Sequence, residues 1–347
     1  MTATATPSAI SFQSDISGLI CGFRFEPGQP GVALESSEIA EALERTVADS
    51  PDGDDGAFIW LHFNLSRAGC MRWLQNHLDL PEPFLDMLGE EAHSTRIEQQ
   101  HGALVAVFND VIFDFERTPS EVATQWVYAH RRLLVTLRRK PLHSVDRLRE
   151  SVRTGETFRS PADLMGHLMC DQADLMTQIV RTTGIEIDRA EDRFLASKAS
   201  SGRKELASTR RVLVRLQRML APEPGSVFRL LARPPAWLHP DDVRQLREST
   251  EEFSVVLRDM AGLIERIKLL QEEVIARLEE QNNRTLFTLT LVTVLALPIN
   301  IVAGLFGMNV GGVPLAENHH GFWVMVGLVA AFTVVVAWWV VRRRNNQ

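Results

Sequence analysis

The sequence has few cysteines, no excess of basic residues and no familiar enzyme motif. Its three cysteines, Cys21, Cys70 and Cys170, lie far apart without a Cys-x-x-Cys pair, a pattern typical of reduced thiols in the cytosol rather than of a disulfide framework. The net charge of −7 argues against nucleic-acid binding, which needs a basic face. A P-loop, a Gly-x-Ser-x-Gly motif and a glycine-rich dinucleotide fingerprint are all absent. We therefore expect neither an enzyme nor a covalently bound cofactor.

The first residues also lack the features of a signal peptide. Residues 1–16 are small and polar, with no basic start followed by an apolar run. We expect this segment to be disordered and the soluble part of the protein to stay in the cytoplasm.

Charged residues are absent from two stretches near the C-terminus. Residues 287–306 and 322–341 are each twenty residues long and carry no charge. At about 1.5 Å of rise per residue, each stretch spans the roughly 30 Å hydrocarbon core of a bilayer as a helix. We predict two transmembrane helices joined by a loop over 307–321. Neither span contains an ionisable residue, so the carboxylate relay of proton-coupled carriers is missing from both.

The distribution of arginine and lysine predicts the orientation in the membrane. The loop over 307–321 carries neither residue, whereas Arg284 precedes the first span and three arginines open the basic tail over 342–347. The positive-inside rule then places both termini in the cytoplasm and the loop outside. We expect a multi-pass protein of the inner, or plasma, membrane.

The segment over 17–239 is predicted to form an α/β domain with a mixed or antiparallel sheet. Asn109-Asp110 is interpreted as a hairpin turn, and Pro222, Pro224 and Pro234-Pro235 as breaks between helices. Alternation and apolar runs predict strands over 18–25, 57–63, 95–97, 103–108, 111–115, 124–129 and 133–137. Helical periodicity predicts helices over 37–48, 67–77, 82–88, 162–196 and 203–221.

One long helix connects this domain to the membrane. No helix breaker occurs between Asp241 and Pro298, and a helix from Asp241 to Phe306 would be on the order of 100 Å long. We assign 240–286 to a cytoplasmic stalk. Apolar residues recur along this stalk at nearly heptad spacing: Phe253, Val256, Met260, Ile264, Ile267, Val274 and Leu278. This seam packs either on the chain's own domain or on the same seam of other copies.

The triplet Gly307-Met308-Asn309 directly after the first span resembles the signature of the CorA family of divalent-cation transporters. The continuation from Asn309 to Pro314, Asn-Val-Gly-Gly-Val-Pro, is similar to the zinc-transporting ZntB branch of that family. The similarity covers most of the chain, including Trp60-Leu61-His62-Phe63-Asn64. It implies a CorA-like funnel: an α/β cytoplasmic domain, a long stalk helix and two C-terminal transmembrane helices, assembled as a homopentamer.

Polar residues of the first span form a candidate pore lining. Thr293 and Asn300 are seven residues apart and share a helix face, which Leu286 continues inward toward Asn283. A five-fold bundle would turn this face into rings of hydroxyls and amides. The alternative is that these groups form hydrogen bonds between helices. The resemblance also implies that Gly307, Met308 and Asn309 form the selectivity loop, where a ring of Asn309 amides would hold a hydrated cation.

Two further sets of residues are candidates for cation capture. Glu317, His319 and His320 lie in the outer loop, and His and carboxylate side chains suit Zn²⁺. Glu265, Glu272 and Glu279 recur every seven residues along the stalk and would attract cations if they lined a funnel. For both sets, plain solvent exposure is the alternative.

A third candidate lies within the predicted helix over 162–196. His167, Cys170 and Asp171 fall on one or two neighbouring faces and could form a regulatory metal site. The alternative is an incidental cluster.

The oxygen donors of the span would suit hydrated Mg²⁺ as well as hydrated Zn²⁺. The preference for Zn²⁺ as the transported ion therefore comes from the resemblance alone. A Mg²⁺ or Co²⁺ channel is the alternative within transport. From a different class, a membrane-anchored cytosolic metal sensor or scaffold without a pore remains open. The expected partners are other copies of the chain, the bilayer and the divalent cation, with no nucleic acid.

Overall fold

The structure is a computed structural model that describes residues 14–48, 56–89, 95–112, 121–195, 203–308 and 319–344. The predicted disordered N-terminus therefore lies mostly outside the described residues. The same holds for Asn309 and Glu317 of the predicted outer loop.

The sheet of the N-terminal part is mixed, which is one of the two predicted arrangements. Its strands are β1 (Leu19–Phe25), β2 (Val32–Leu34), β3 (Phe58–Asn64), β4 (Arg96–Gln100), β5 (Ala103–Val111), β6 (Val122–His130) and β7 (Leu133–Arg138). They lie in the order β2-β1-β3-β7-β6-β5-β4. The central β3–β7 pair is parallel, and the other pairs are antiparallel. The short edge strand β2 is not predicted by the sequence pattern.

Helices cover both faces of the sheet. They are α1 (Ile39–Ala48), α2 (Cys70–His77), α3 (Glu82–Gly89), α4 (His143–Arg153), α5 (Pro161–Leu195), α6 (Arg203–Leu220), α7 (Pro222–Leu231), α8 (Pro240–Phe306) and α9 (Gly321–Arg344). Residues of α1, α2 and α3 pack on one face, and residues of α4, α5, α7 and the start of α8 pack on the other. Strand β3 contributes Trp60 to one core and Leu61 to the other, which explains its unbroken apolar run.

The turn predicted at Asn109-Asp110 is wrong. Both residues lie inside β5, paired with Thr124 and Ala123 of β6, and both are almost fully buried. Partners distant in the sequence satisfy their polar groups, so a local turn signal is overridden by tertiary hydrogen bonding. The predicted strand over 111–115 runs beyond Ile112 into residues that the structure does not describe.

The helix break predicted at Pro222 and Pro224 is confirmed, because α6 ends at Leu220 and these prolines lie in the first turn of the next helix, α7. The first turn of a helix has backbone N–H groups without intrahelical partners, so a proline there loses no hydrogen bond.

The apolar seam of α8 packs within the same chain. Phe253, Val256, Met260 and Ile267 are 7% exposed or less. Helix α5 runs alongside: Cys170 Sγ lies 3.1 Å from Ser249 Oγ, and further along Arg266 Nη1 lies 2.7 Å from Asp188 Oδ1. This part of the seam is therefore occupied by the chain's own domain.

The chain divides into two compact units, with the boundary between Leu270 and Gln271. The boundary falls inside α8, so the segment predicted as a separate stalk over 240–286 is shared between them. The first unit holds the sheet and its covering helices. The second holds the end of α8 and all of α9.

Candidate functional site

The end of α8 is apolar and exposed within a single chain. Leu289, Val292 and Leu297 are each more than half exposed. Within the described residues, α8 holds the one helical stretch long and apolar enough to cross a membrane, and the described apolar run of α9, Gly321–Val336, is shorter. Apolar side chains exposed around a helix require lipid or another protein surface as cover.

Helices α8 and α9 contact each other through one face of each. Pro298, Ile299 and Val302 of α8 and Leu328, Val329 and Phe332 of α9 line a wholly apolar cavity of about 240 Å³. The polar residues of the span therefore lie elsewhere on α8.

The threonine hydroxyl groups of the span find hydrogen-bond acceptors within their own helix. The hydroxyls of Thr288, Thr290 and Thr293 donate to the carbonyl oxygens four residues earlier, at 2.8 to 2.9 Å. Each hydroxyl oxygen still has capacity to accept a hydrogen bond. Thr293 is exposed, in keeping with its predicted place on a lining face, although it needs no partner outside the helix.

Asn300 differs from the threonines. Its side chain is exposed, and the hydrogen bonds between described residues include none to its amide. Val302, which lines the cavity with α9, is two residues on and so about 200° around the helix from Asn300. Asn300 therefore faces away from α9. Leu286 and Thr293, both exposed, lie on the same side of α8 because seven residues are close to two helical turns, and Asn283, three residues before Leu286, is exposed as well.

Helix α8 continues through Pro298 and ends at Phe306. Pro298 has no N–H, so the carbonyl oxygen of Val294 lacks its usual donor. Gly307 N–H still donates to Ala303 O at 2.9 Å, and a Cβ at Gly307 would lie 3.1 Å from that oxygen. Met308 is about half exposed. The first two residues of the predicted selectivity loop are thus attached to the last turn of the helix.

The candidate cation-capture residues are exposed where the structure describes them. The rings of His319 and His320 lie edge to face at 6.2 Å. Glu265 pairs with Lys268 at 3.0 Å, while Glu272 and Glu279 lie on the surface of their unit. Neither set is tested by these contacts, so both stay predictions.

The structure does not bring His167, Cys170 and Asp171 together as metal ligands. His167 Nδ1 lies 3.6 Å from Glu156 Oε1, Cys170 contacts Ser249, and Asp171 pairs with Arg147 at 3.3 Å. Burial also raises the pKa of the Cys170 thiol, which disfavours the thiolate that zinc binds. No three His, Cys, Asp or Glu side chains are grouped for a metal ion anywhere in the described residues. The three residues share a helix surface, but each side chain contacts a different neighbouring residue.

The first unit holds a polar cluster that sequence reasoning missed. Asn109, Asp110, Gln172 and Glu223 meet in the core between β5, α5 and α7. The available signal is the Asn109-Asp110 pair between two predicted strands, a pattern that is also typical of a turn.

The fold and the apolar hairpin together define a membrane protein with a large soluble α/β/α domain before two C-terminal helices. Residues 55–344 match the model of the family described as CorA-like Mg²⁺ transporter protein. The match covers most of the 347 residues. The chain belongs to this CorA-like family.

Individual relatives agree with that assignment. The divalent cation transporter CmaX of Pseudomonas aeruginosa is 30% identical over 82% of this chain and 86% of its own length. The zinc transport protein ZntB of Yersinia pseudotuberculosis is 28% identical over 82% of this chain and 87% of its own length. The solved structure of full-length CmaX superposes with a TM-score of 0.78, covering 95% of this chain and 98% of that one at 28% identity.

Proposed function

We propose that this chain transports divalent metal cations across the cell's inner membrane, with Zn²⁺ uptake as the favoured activity, through a pore formed by five copies. Membership of the CorA-like family supports cation transport. Relatives that carry the name zinc transport protein support Zn²⁺.

The observation that carries the proposal is the unpaired amide of Asn300. It lies in an apolar span, faces away from α9 and has no hydrogen-bond partner among the described residues. An unsatisfied polar group in hydrocarbon costs several kcal/mol. Another copy of α8 or a water-filled pore would remove that cost. An isolated lipid-embedded hairpin would not.

In such a pore, Leu286, Thr293 and Asn300 would form successive rings. Amide and hydroxyl oxygens hold a hydrated cation through its water molecules without removing them. The loop that begins at Gly307 and Met308 would continue the pathway to the outside, with Asn309 as its oxygen donor.

Charge supports the orientation and the direction of transport. The loop over 307–321 has no arginine or lysine. The Arg342 guanidinium lies 5.0 Å from the ring centre of Trp338, a pair suited to the inner interface. A potential of about 100 mV, inside negative, favours entry of a doubly charged ion by about 4.6 kcal/mol. Uptake therefore needs no further source of energy.

The test is metal flux into liposomes that contain the purified full-length protein and a zinc-sensitive dye. We expect zinc entry, and we expect Asn300→Ala to slow it about tenfold or more, which corresponds to about 1.4 kcal/mol. Val334→Ala, at an exposed apolar position of α9, is the matched control and should leave the flux unchanged. Zinc entry that accelerates with an imposed pH gradient would indicate proton linkage, and entry indifferent to it would indicate a passive channel.

Mg²⁺ is measured in parallel, because the oxygen donors of the span suit both ions. Faster Mg²⁺ than Zn²⁺ entry would replace zinc as the proposed substrate. A monomer in mild detergent, or well-folded pentamers that pass neither ion, would overturn the pore and favour the anchored sensor.

A further inference from the structure

Two neighbouring residues of β5 connect the sheet to three helices. Asn109 and Asp110 are 1% and 2% exposed. The backbone N–H of Asn109 donates to Glu223 Oε1 of α7 at 2.6 Å, and its carbonyl oxygen accepts from Gln172 Nε2 of α5 at 2.6 Å. Asp110 binds the start of α4, as described next. The interior end of β5 is therefore a junction of α4, α5 and α7.

The Asp110 carboxylate is held only by neutral donors. Oδ1 accepts from the Val111 backbone N–H at 2.7 Å and from Ser144 Oγ at 3.0 Å. Oδ2 accepts from the Ser144 backbone N–H at 3.0 Å. Ser144 lies in the first turn of α4, where backbone N–H groups are available to an acceptor.

The Glu223 carboxylate likewise accepts hydrogen bonds only from neutral donors. It is 1% exposed, and besides Asn109 it accepts from Gln172 Nε2 at 3.1 Å. Among the described residues, no lysine or arginine forms an ion pair with Glu223 or Asp110. The arginines Arg138 and Arg149 of the same core bind Asp146 instead. Asp146 is a third acid and raises the pKa of Asp110 further, while Arg138 interacts with the charge of Asp110 without forming an ion pair with it.

A small cavity adjoins Asp110. Its volume is about 20 Å³, and its polar lining comes from Asp110, Gln125, Ser144 and Gln172, which is room enough for one water molecule. Gln125 is 4% exposed, and its Nε2 finds no hydrogen-bond partner in the described part of the chain. The rest of its lining is apolar and comes from Phe108, Val127, Met165, Leu168 and Met169, so the polar groups around Asp110 lie at one side of an apolar space.

Two buried carboxylates without a counter-ion are costly to keep ionised. Burial raises the pKa of Asp110 to about 6. It also raises the pKa of Glu223 well above its usual value, and the charge of Asp110 adds to that effect. Asp110 therefore takes up its proton near pH 6, and Glu223 keeps its proton to a higher pH than an ordinary glutamate.

We propose that Asp110 and Glu223 form a proton-binding pair that makes the attachment of α4, α5 and α7 to β5 depend on the pH of the cytoplasm. A proton from water forms an O–H bond on a carboxylate oxygen, which then donates a hydrogen bond instead of accepting one. At Glu223, Gln172 Nε2 keeps its hydrogen bond to the carbonyl oxygen of Asn109, so a proton on Oε2 replaces only the 3.1 Å hydrogen bond from Gln172. The proposal concerns the first unit alone and does not depend on the pore.

The direction of the pH effect follows from the raised pKa values. Below the pKa of the unfolded carboxyl groups, the pair is protonated in both states and the folded junction has its full stability. As the pH rises through about 6, where Asp110 titrates, the folded state retains protons that the unfolded chain has lost. Stability falls over this range, and the attachment of the three helices weakens.

The test is infrared spectroscopy of the full-length protein in detergent over a series of pH values, in H₂O and D₂O. A buried protonated carboxyl gives a C=O stretching band that is distinct from carboxylate bands. We expect this band at pH 7 in the wild type and its loss in Glu223→Gln. Asp110→Asn should reduce the further growth of the band between about pH 7 and pH 5; the remaining growth comes from Asp171, whose pKa is also raised to about 6. Glu251→Gln, at an exposed position of α8, should reproduce the wild-type spectra.

Thermal unfolding of the same proteins gives a second readout. The unfolding temperature of Glu223→Gln should exceed that of the wild type at alkaline pH, and the two should converge in acid. A missing carboxyl band in the wild type at pH 7, or a band unchanged in both variants, would overturn the proposal. If Glu223→Gln does not fold, Asp110→Asn alone decides the outcome through the growth of the band. Neither readout involves metal flux, so failure here is distinct from failure of the proposed transport.

Discussion

Arg149 of α4 donates a hydrogen bond to Asp146 across 2.8 Å in a part of the core that excludes solvent. Asp146 also accepts from Arg138 of β7 at 3.4 Å, and all three side chains are 2% to 3% exposed. One carboxylate thus forms ion pairs with two buried guanidinium groups and connects α4 to the centre of the sheet.

Asp146→Asn should destabilise the first unit strongly. The amide has nearly the same shape but no charge, so two buried cations would lose their anion. Removing one partner of a buried ion pair typically costs about 3–5 kcal/mol. Thermal unfolding of the full-length protein in detergent, followed by tryptophan fluorescence, should show a markedly lower midpoint.

An exposed pair of the same chemistry is the control. Asp174 is 63% exposed and lies 3.7 Å from Arg147, and exposed pairs contribute about 1 kcal/mol or less. Asp174→Asn should change the unfolding midpoint little. Equal effects of the two substitutions would contradict the importance of the buried triad.

Gly307→Ala should abolish metal flux while leaving the assembly intact. The added Cβ would lie 3.1 Å from the backbone oxygen of Ala303, so the last turn of α8 or the start of the loop must shift. A loop that holds a hydrated ion depends on the position of its oxygens. The measurement is zinc entry into liposomes, with native mass spectrometry for the oligomer.

Gly327→Ala is the matched control for this substitution. Gly327 lies in α9, and a Cβ there would meet no atom within 4 Å. Its flux should equal that of the wild type. Full flux in Gly307→Ala would show that the start of the loop does not shape the ion pathway.

The elements with strong periodicity could be predicted from the sequence. The predicted helix over 162–196 is α5 within one residue at each end, and the helix expected from Asp241 to Phe306 is α8. Both have apolar residues at helical spacing over many turns, so local and tertiary preferences agree.

The errors arose where tertiary contacts decide the structure. The backbone N–H of Asn109 donates a hydrogen bond to the carboxylate of Glu223, more than one hundred residues away in the sequence. A local sequence pattern cannot predict that contact. At the candidate site, helical geometry places Thr293 and Asn300 on one face. In the proposed pore, other copies of the chain would cover that face.

Half-buried Cys21 and buried Cys70 should be slow to react with alkylating reagents. Burial raises the pKa of Cys21 to about 11 and that of Cys70 to about 12, against an ordinary value of 9.0. The thiolate is the nucleophile, so Cys21 should react about 100-fold more slowly than an unperturbed thiol.

Mass spectrometry after iodoacetamide treatment near neutral pH would measure this protection. Both cysteines should remain unmodified in the folded full-length protein and become modified after denaturation, which is the internal control. Rapid labelling of Cys70 without unfolding would show that the packing around α2 is open.

His62 should make the protein lose stability in mild acid. It is fully buried in β3, its Nδ1 lies 2.8 Å from Thr136 Oγ1, and its Nε2 has no hydrogen-bond partner within the described residues. Burial lowers its pKa well below the usual value, and the positive charges of Arg138 and Arg149 lower it further. Below about pH 6.5 the unfolded chain binds a proton that the folded protein rejects, so the free energy of unfolding falls as the pH falls.

The unfolding midpoint of the wild type should therefore decrease between about pH 7 and pH 5, a range centred near the ordinary histidine pKa. In His62→Gln, which can still form a hydrogen bond with Thr136, this decrease should be smaller. His77→Gln, at an exposed position of α2, controls for the loss of a histidine as such. The proton-binding pair at Asp110 acts with the opposite sign over part of this range, so the decisive comparison is the difference in slope between His62→Gln and the wild type. An identical slope would mean that His62 remains neutral in the unfolded chain or gains a partner in the folded one, and the expected acid lability would have to come from another group.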